Sequence, residues 1–210
     1  MMPDQRNLKE TLNGEPQGLT TLQTEGSMQK KILWLLLAVA VSSLAAQEFT
    51  GPVEGEIVLE KSEPYMYVAV EMKGSYDQHE QAFATLYEQG SVQGLSFDDY
   101  PMGLYYSNPM DTPEDSLIWE IGTKVSGVDS VQLPLVLKKF PYTLTVAMAY
   151  TGGFSEEMAS SYAKIYEWIG QNGYQQIGPL QEIYLSIPQA NAEGEWVGEV
   201  KIVIPVSKTE

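Results

Sequence analysis

The chain has 210 residues, no cysteine, one histidine and a formal net charge of −16. Without cysteine there are no disulfides to support the fold, so stability rests on burial. A surface this acidic repels phosphate backbones, and no basic stripe or reading helix is present, which excludes direct nucleic-acid binding.

Residues 28–46 have the three-part layout of a secretory signal peptide: Met28-Gln29-Lys30-Lys31 as a basic head, Ile32–Val41 as an apolar run, and Ser42–Ala46 as a small-residue tail. The apolar run is shorter than the ~20 residues of a spanning helix. Cleavage after Ala45 or Ala46 is expected, giving a periplasmic or secreted protein with no stable membrane anchor. Residues 1–27 read as an upstream mis-assigned start or a disordered segment. Residues 1–46 hold four basic and four acidic residues, so the remainder keeps the whole charge of −16.

Residues 53–206 read as one domain. Glu56–Lys61 suits an edge strand. Tyr65–Met72 is β-branched and aromatic enough for a strand, with Pro64 before it. Asp77 and Glu80 form a capping pattern for a helix to about Gln89, ending before Gly90. Ala82, Phe83, Leu86 and Tyr87 make its apolar stripe. Gly103–Ser107 and Leu117–Val125 are the next two strands. The plan then recurs: a strand at Tyr142–Tyr150, a helix from Ser155 to about Ile169, and strands at Ile183–Ile187 and Val197–Val206.

The recurrence is also literal. Tyr105, Pro109 and Glu120 reappear as Tyr184, Pro188 and Glu199, 79 residues later with the same internal spacing. Leu59, Lys61, Val68, Ala69 and Gly74 align with Leu137, Lys139, Val146, Ala147 and Gly152 at an offset of 78, while Phe83 aligns with Tyr162 at 79. Two copies of so long a period make one domain of two related halves, about 55–129 and 131–206, and not a solenoid. The predicted class is α+β: two pseudo-symmetric strand–helix–strand–strand repeats forming a mostly antiparallel sheet, with helices on one face and a ligand cleft on the other.

In each closing strand the apolar residues alternate with polar ones. Glu120 and Glu199 therefore point away from the helices, and Tyr105, Tyr184, Trp119 and Trp196 surround them in sequence. A carboxylate among aromatic rings suits a cationic or amphiphilic guest. It also suits acid–base chemistry if burial raises its pKa. These six residues are the candidate ligand-binding set. No catalytic residue is assigned, no metal site and no cofactor. His79, early on the first helix beside Glu80, reads as exposed. On alternation alone an ordinary solvated strand face would also account for the two glutamates, but their recurrence in both halves and their aromatic neighbours weigh against it.

Several stretches are similar to the GyrI-like effector-binding domain, the ligand module of multidrug-sensing transcription regulators. They are the strand TLTVAMAYTGGF, the helix SYAKIYEWIGQNGY, IGPLQEIYLSIP and the closing GEVKIVIPV, with YVAVEMKGSY and WEIGTKV in the first half. The resemblance implies a cleft that takes bulky hydrophobic, often cationic molecules against aromatic walls and an acidic counter-charge, with Glu199 and its counterpart Glu120 as that acid. Some relatives are hydrolases that use a Glu and a Tyr. The expected function is thus an exported stand-alone binding module for small hydrophobic or cationic ligands. The alternatives are a small hydrolase in the same cleft and an interaction module with an acidic surface.

Overall fold

The structure is a computed structural model that describes residues 54–97, 99–154 and 156–210. The signal-like stretch, the segment before it, and the Ser155 helix cap lie outside these residues. No helix among them is long and apolar enough to cross a membrane.

Among the described residues ten strands and two α-helices follow one another as β1 (Ile57–Lys61), β2 (Tyr65–Lys73), α1 (His79–Val92), β3 (Met102–Tyr105), β4 (Ile118–Lys124), β5 (Leu135–Phe140), β6 (Leu144–Gly153), α2 (Glu156–Gln171), β7 (Tyr174–Gln176), β8 (Leu180–Tyr184), β9 (Gln189–Ala190) and β10 (Trp196–Lys208). The main path of the sheet runs β1-β6-β10-β8-β3-β4-β2-β5, and every pairing of named strands is antiparallel. The α+β architecture of two strand–helix–strand–strand repeats stands as expected.

Replacing each strand by its repeat counterpart reverses the path onto itself. β1 corresponds to β5, β6 to β2, β10 to β4 and β8 to β3. The leading strand of each repeat is exchanged: β1 pairs with β6 in the second half, whereas β5 pairs with β2 in the first. β5 is a strand that the sequence pattern does not announce, although Leu137 and Lys139 repeat Leu59 and Lys61. Its mixed LVLKKF pattern hides a strand with Leu135 and Leu137 toward the helices and Val136 and Phe140 on the other face.

Alternation divides the buried residues into two layers. Under α2 lie Val146, Met148, Val200, Ile202 and Ile204 with Ile165 and Ile169. Under α1 lie Val68, Val70, Trp119 and Ile121 with Ala82 and Leu86. Phe83 touches both cores. On the helix-free side, Tyr67, Ala69, Met102, Leu104 and Phe140 form a third cluster with Tyr65, Tyr142 and Ile183. The links after β1 and β5 meet there, Ser62 donating through N to Thr143 O at 3.1 Å and through Oγ to Tyr142 O at 3.0 Å.

Two local expectations shift. The first helix is preceded by a 3-10 turn, Tyr76–Gln78, capped by Ser75, whose Oγ accepts from Asp77 N. Gly90 does not end α1; it is buried where a Cβ would stand 2.2 Å from the Phe97 ring, so it serves close packing.

Candidate functional site

β3 and β8 are neighbours at the centre of the sheet, in the register Met102↔Ile183, Gly103↔Glu182, Leu104↔Gln181 and Tyr105↔Leu180. Gly103 and Glu182 are themselves repeat counterparts, so the pseudo-two-fold axis passes between them. By alternation Gly103, Tyr105, Glu182 and Tyr184 share the helix-bearing side, opposite Met102 and Leu104. One half thus supplies a carboxylate on the axis, and the other supplies empty space. That space is used: a Cβ at Gly103 would stand 2.5 Å from the Tyr105 hydroxyl, so only glycine lets this ring fold back over the axis.

Around Glu182 converge three phenols. Tyr162 of α2 donates to Oε1, and Oε2 accepts from Tyr184 at 3.0 Å and faces the Tyr105 hydroxyl at 3.2 Å. The hydroxyls of Tyr105 and Tyr184 are 2.9 Å apart. From α1, His79 Nε2 lies 2.8 Å from the Tyr105 hydroxyl, and its Nδ1 is hydrogen-bonded to Tyr76 O. Trp119 stacks on the imidazole at 4.4 Å and donates from Nε1 to Gly74 O. Phe83 and Tyr76 set their rings edge-on to Tyr184 and Tyr105, at 5.5 and 5.2 Å. Glu182, Tyr105, Tyr162, His79 and Phe83 all keep part of their surface open. The result is a groove with aromatic walls and one carboxylate on its floor. It lies on the helix-bearing side of the sheet, not on the helix-free face where the cleft was expected, because Tyr105, Glu182 and Tyr184 alternate with Met102, Leu104 and Ile183.

The electrostatics follow from enclosure. Burial pushes the Glu182 carboxyl above the usual carboxylate range, while bonds from Tyr162, Tyr184 and Tyr105 pull the other way. Burial, with the charge of Glu182, drives Tyr105, Tyr184 and Tyr162 well above the ordinary phenol value, so all three stay protonated donors. Burial lowers His79, partly offset by the Tyr76 carbonyl and by Asp77. No lysine or arginine pairs with Glu182 among the described residues.

The six residues singled out from sequence separate. Tyr105 and Tyr184 meet in the groove, and Trp119 lies fully buried beneath His79. Glu120, only 2% exposed, is on the opposite side of the sheet, where it accepts from Tyr67 at 3.0 Å and from Lys138. Glu199 is exposed, its backbone N donating to Ser186 Oγ at 2.8 Å. Trp196 is 48% exposed at the start of β10, opposite Ala190.

Sequence reasoning passed over Glu182 and Tyr162 as site residues and took His79 for exposed. The structure corrects the last point: α1 begins at His79, and its ring turns in between Trp119 and Tyr105. The signal for Glu182 was present. It lies two residues before Tyr184, hence on the same strand face, and it is where the two repeats disagree.

The fold and this groove define a duplicated α+β module with a polar centre on its symmetry axis. The chain belongs to the GyrI-like small-molecule binding domain family, whose profile matches residues 55–207. Its fold is similar to that of the EcmrR C-terminal domain, at 16% identity and a TM-score of 0.60, over 73% of this chain and 98% of that one. A crystallised hydrolase from Listeria innocua is also similar, at 17% identity and a TM-score of 0.56, over 77% of this chain and 96% of that one. At these identities the likeness speaks for the fold alone. Comparison with curated protein sequences gives no match.

Proposed function

We propose that this domain captures a hydrophobic, positively charged small molecule in the groove over β3 and β8, with Glu182 as its counter-charge. One observation carries the reading: among the described residues Glu182, a half-buried carboxylate, is served only by neutral hydroxyls, whereas the more deeply buried Glu120 has a lysine. A carboxylate held away from water without a cationic partner is in a costly state. An entering cation relieves it, and the faces of Tyr105, Tyr184, Tyr76 and Phe83 add cation–π and apolar contact. The guest is held by burial and charge, with no covalent step. The signal-like stretch at 28–46 supports capture outside the cytoplasm.

A titration with ethidium, a permanent aromatic cation whose fluorescence rises on leaving water, tests this reading. Wild type should bind it saturably, and Glu182→Gln should lose most of that affinity. Equal affinity in the two proteins would remove Glu182 from the role. A neutral apolar dye of similar size, bound as well as ethidium, would remove charge from the recognition.

A further inference from the structure

The chain's one histidine is the groove residue whose ordinary titration range lies nearest neutrality, and burial moves it lower. Its hydrogen bonds fix where its protons sit. Nδ1 faces the carbonyl of Tyr76, which can only accept, so the neutral ring carries its proton on Nδ1. Nε2 is then an acceptor, and the Tyr105 hydroxyl at 2.8 Å is its donor. A phenol has a single proton to give. While His79 is neutral, Nε2 at 2.8 Å competes with Glu182 Oε2 at 3.2 Å for that proton, and the undivided donors of Glu182 are Tyr162 and Tyr184.

A second proton on His79 reverses the bond. Nε2–H now donates to the Tyr105 oxygen, and the phenol proton is free to turn to Glu182 Oε2 at 3.2 Å. Glu182 then has three donors and an imidazolium one phenol away. Both changes satisfy the carboxylate from within and leave less for a guest. The groups facing His79 are few. Asp77 and the Tyr76 carbonyl come from the 3-10 turn, Tyr105 from β3 and Trp119 from β4, with Glu182 of β8 beyond Tyr105 and Glu80 beside it on α1. Asp77 favours the charged ring, and enclosure favours the neutral one.

The geometry points to His79 as a positioning residue that couples cation capture to pH: the groove takes a cation when His79 is neutral and releases it when His79 is protonated. This rests on the capture reading above. No counterpart exists in the second half, where Met158 occupies the position 79 residues on and belongs to the apolar core.

Because coupling is reciprocal, one experiment reads it from both sides. Ethidium keeps its charge at every pH used. Its dissociation constant in wild type should rise several-fold from about pH 8 to about pH 5.5, toward a limit of about tenfold at lower pH. Saturating ethidium should in turn lower the His79 titration midpoint, followed by NMR on the single imidazole, by about one pH unit. His79→Gln, whose side-chain oxygen can still accept from Tyr105, should lose most of the pH dependence; what remains there is Glu182's own titration. Ethidium that binds while leaving the His79 midpoint unmoved overturns the coupling and leaves the capture reading standing. If ethidium does not bind wild type at any pH, the capture reading fails and the coupling falls with it.

Discussion

Glu182 and Glu120 are two enclosed carboxylates on opposite sides of one sheet, and their surroundings differ in kind. Glu120 accepts from Tyr67 and is paired with Lys138, which also reaches Glu71 at 2.5 Å and has its ammonium held charged by the two carboxylates. Its charge is already answered. Glu182 has three phenols and, among the described residues, no ammonium. Enclosure alone therefore does not mark a binding carboxylate. What distinguishes it is a charge that the fold leaves uncompensated.

The contrast can be broken most directly at Glu182. Glu182→Gln is expected to weaken ethidium binding by at least ~30-fold, since removing one partner of a desolvated charge pair costs ~2 kcal/mol or more. Isothermal titration would check it. For Glu120→Gln the main effect should fall on stability instead, about 1–3 kcal/mol in a urea melt. That figure lies below the value for a fully buried pair because Lys138 reaches solvent and keeps Glu71. A larger loss of ethidium affinity in Glu120→Gln than in Glu182→Gln would invert the comparison.

Two smaller effects sharpen it. Gly103→Ala places a methyl against the Tyr105 ring, costing about 1 kcal/mol of stability and displacing a donor from the groove floor. The expected readout is weaker ethidium binding together with a shifted Tyr105 hydroxyl contact in a crystal structure. The last concerns pH. Glu182's folded pKa is raised by burial, so its ionisation costs stability above that pKa, and the cost fades as pH falls through it. Glu182→Gln should therefore melt about 2–4 °C higher than wild type near neutral pH, with the gain vanishing below the ordinary carboxyl range. Lowered His79 acts with the opposite sign: its stability is present above the ordinary imidazole range and is lost as pH falls below it.

Much of the architecture could be read from residues because periodicity and repetition are local or nearly so. The strand at Tyr65, the helix stripe of Ala82, Phe83 and Leu86, and the doubled Tyr-Pro-Glu frame all announce themselves in short windows. The site was less legible because repetition is a guide to scaffold. Residues that match in both halves lead to Tyr105 and Tyr184 in the groove but to Glu120 and Glu199 as its acid, whereas the groove's carboxylate and histidine stand where the halves differ: Gly103 against Glu182, His79 against Met158, with Trp119 against Gly198. A register that sets Gly103 beside Glu182 is a tertiary fact, and no window of either repeat contains it.

The exchanged leading strands have a consequence for how the chain reaches this state. β1 is made first but must wait for β6, since Ile57 pairs with Met148 and Lys61 with Leu144. The outer edge of the second half is thus closed by the earliest strand, across most of the domain's length. Such long-range pairing raises contact order and slows folding. It also means that a cut between the halves yields no independent module: each fragment keeps a strand that belongs to the other's sheet. Two such fragments, made separately, should fold only by finding one another.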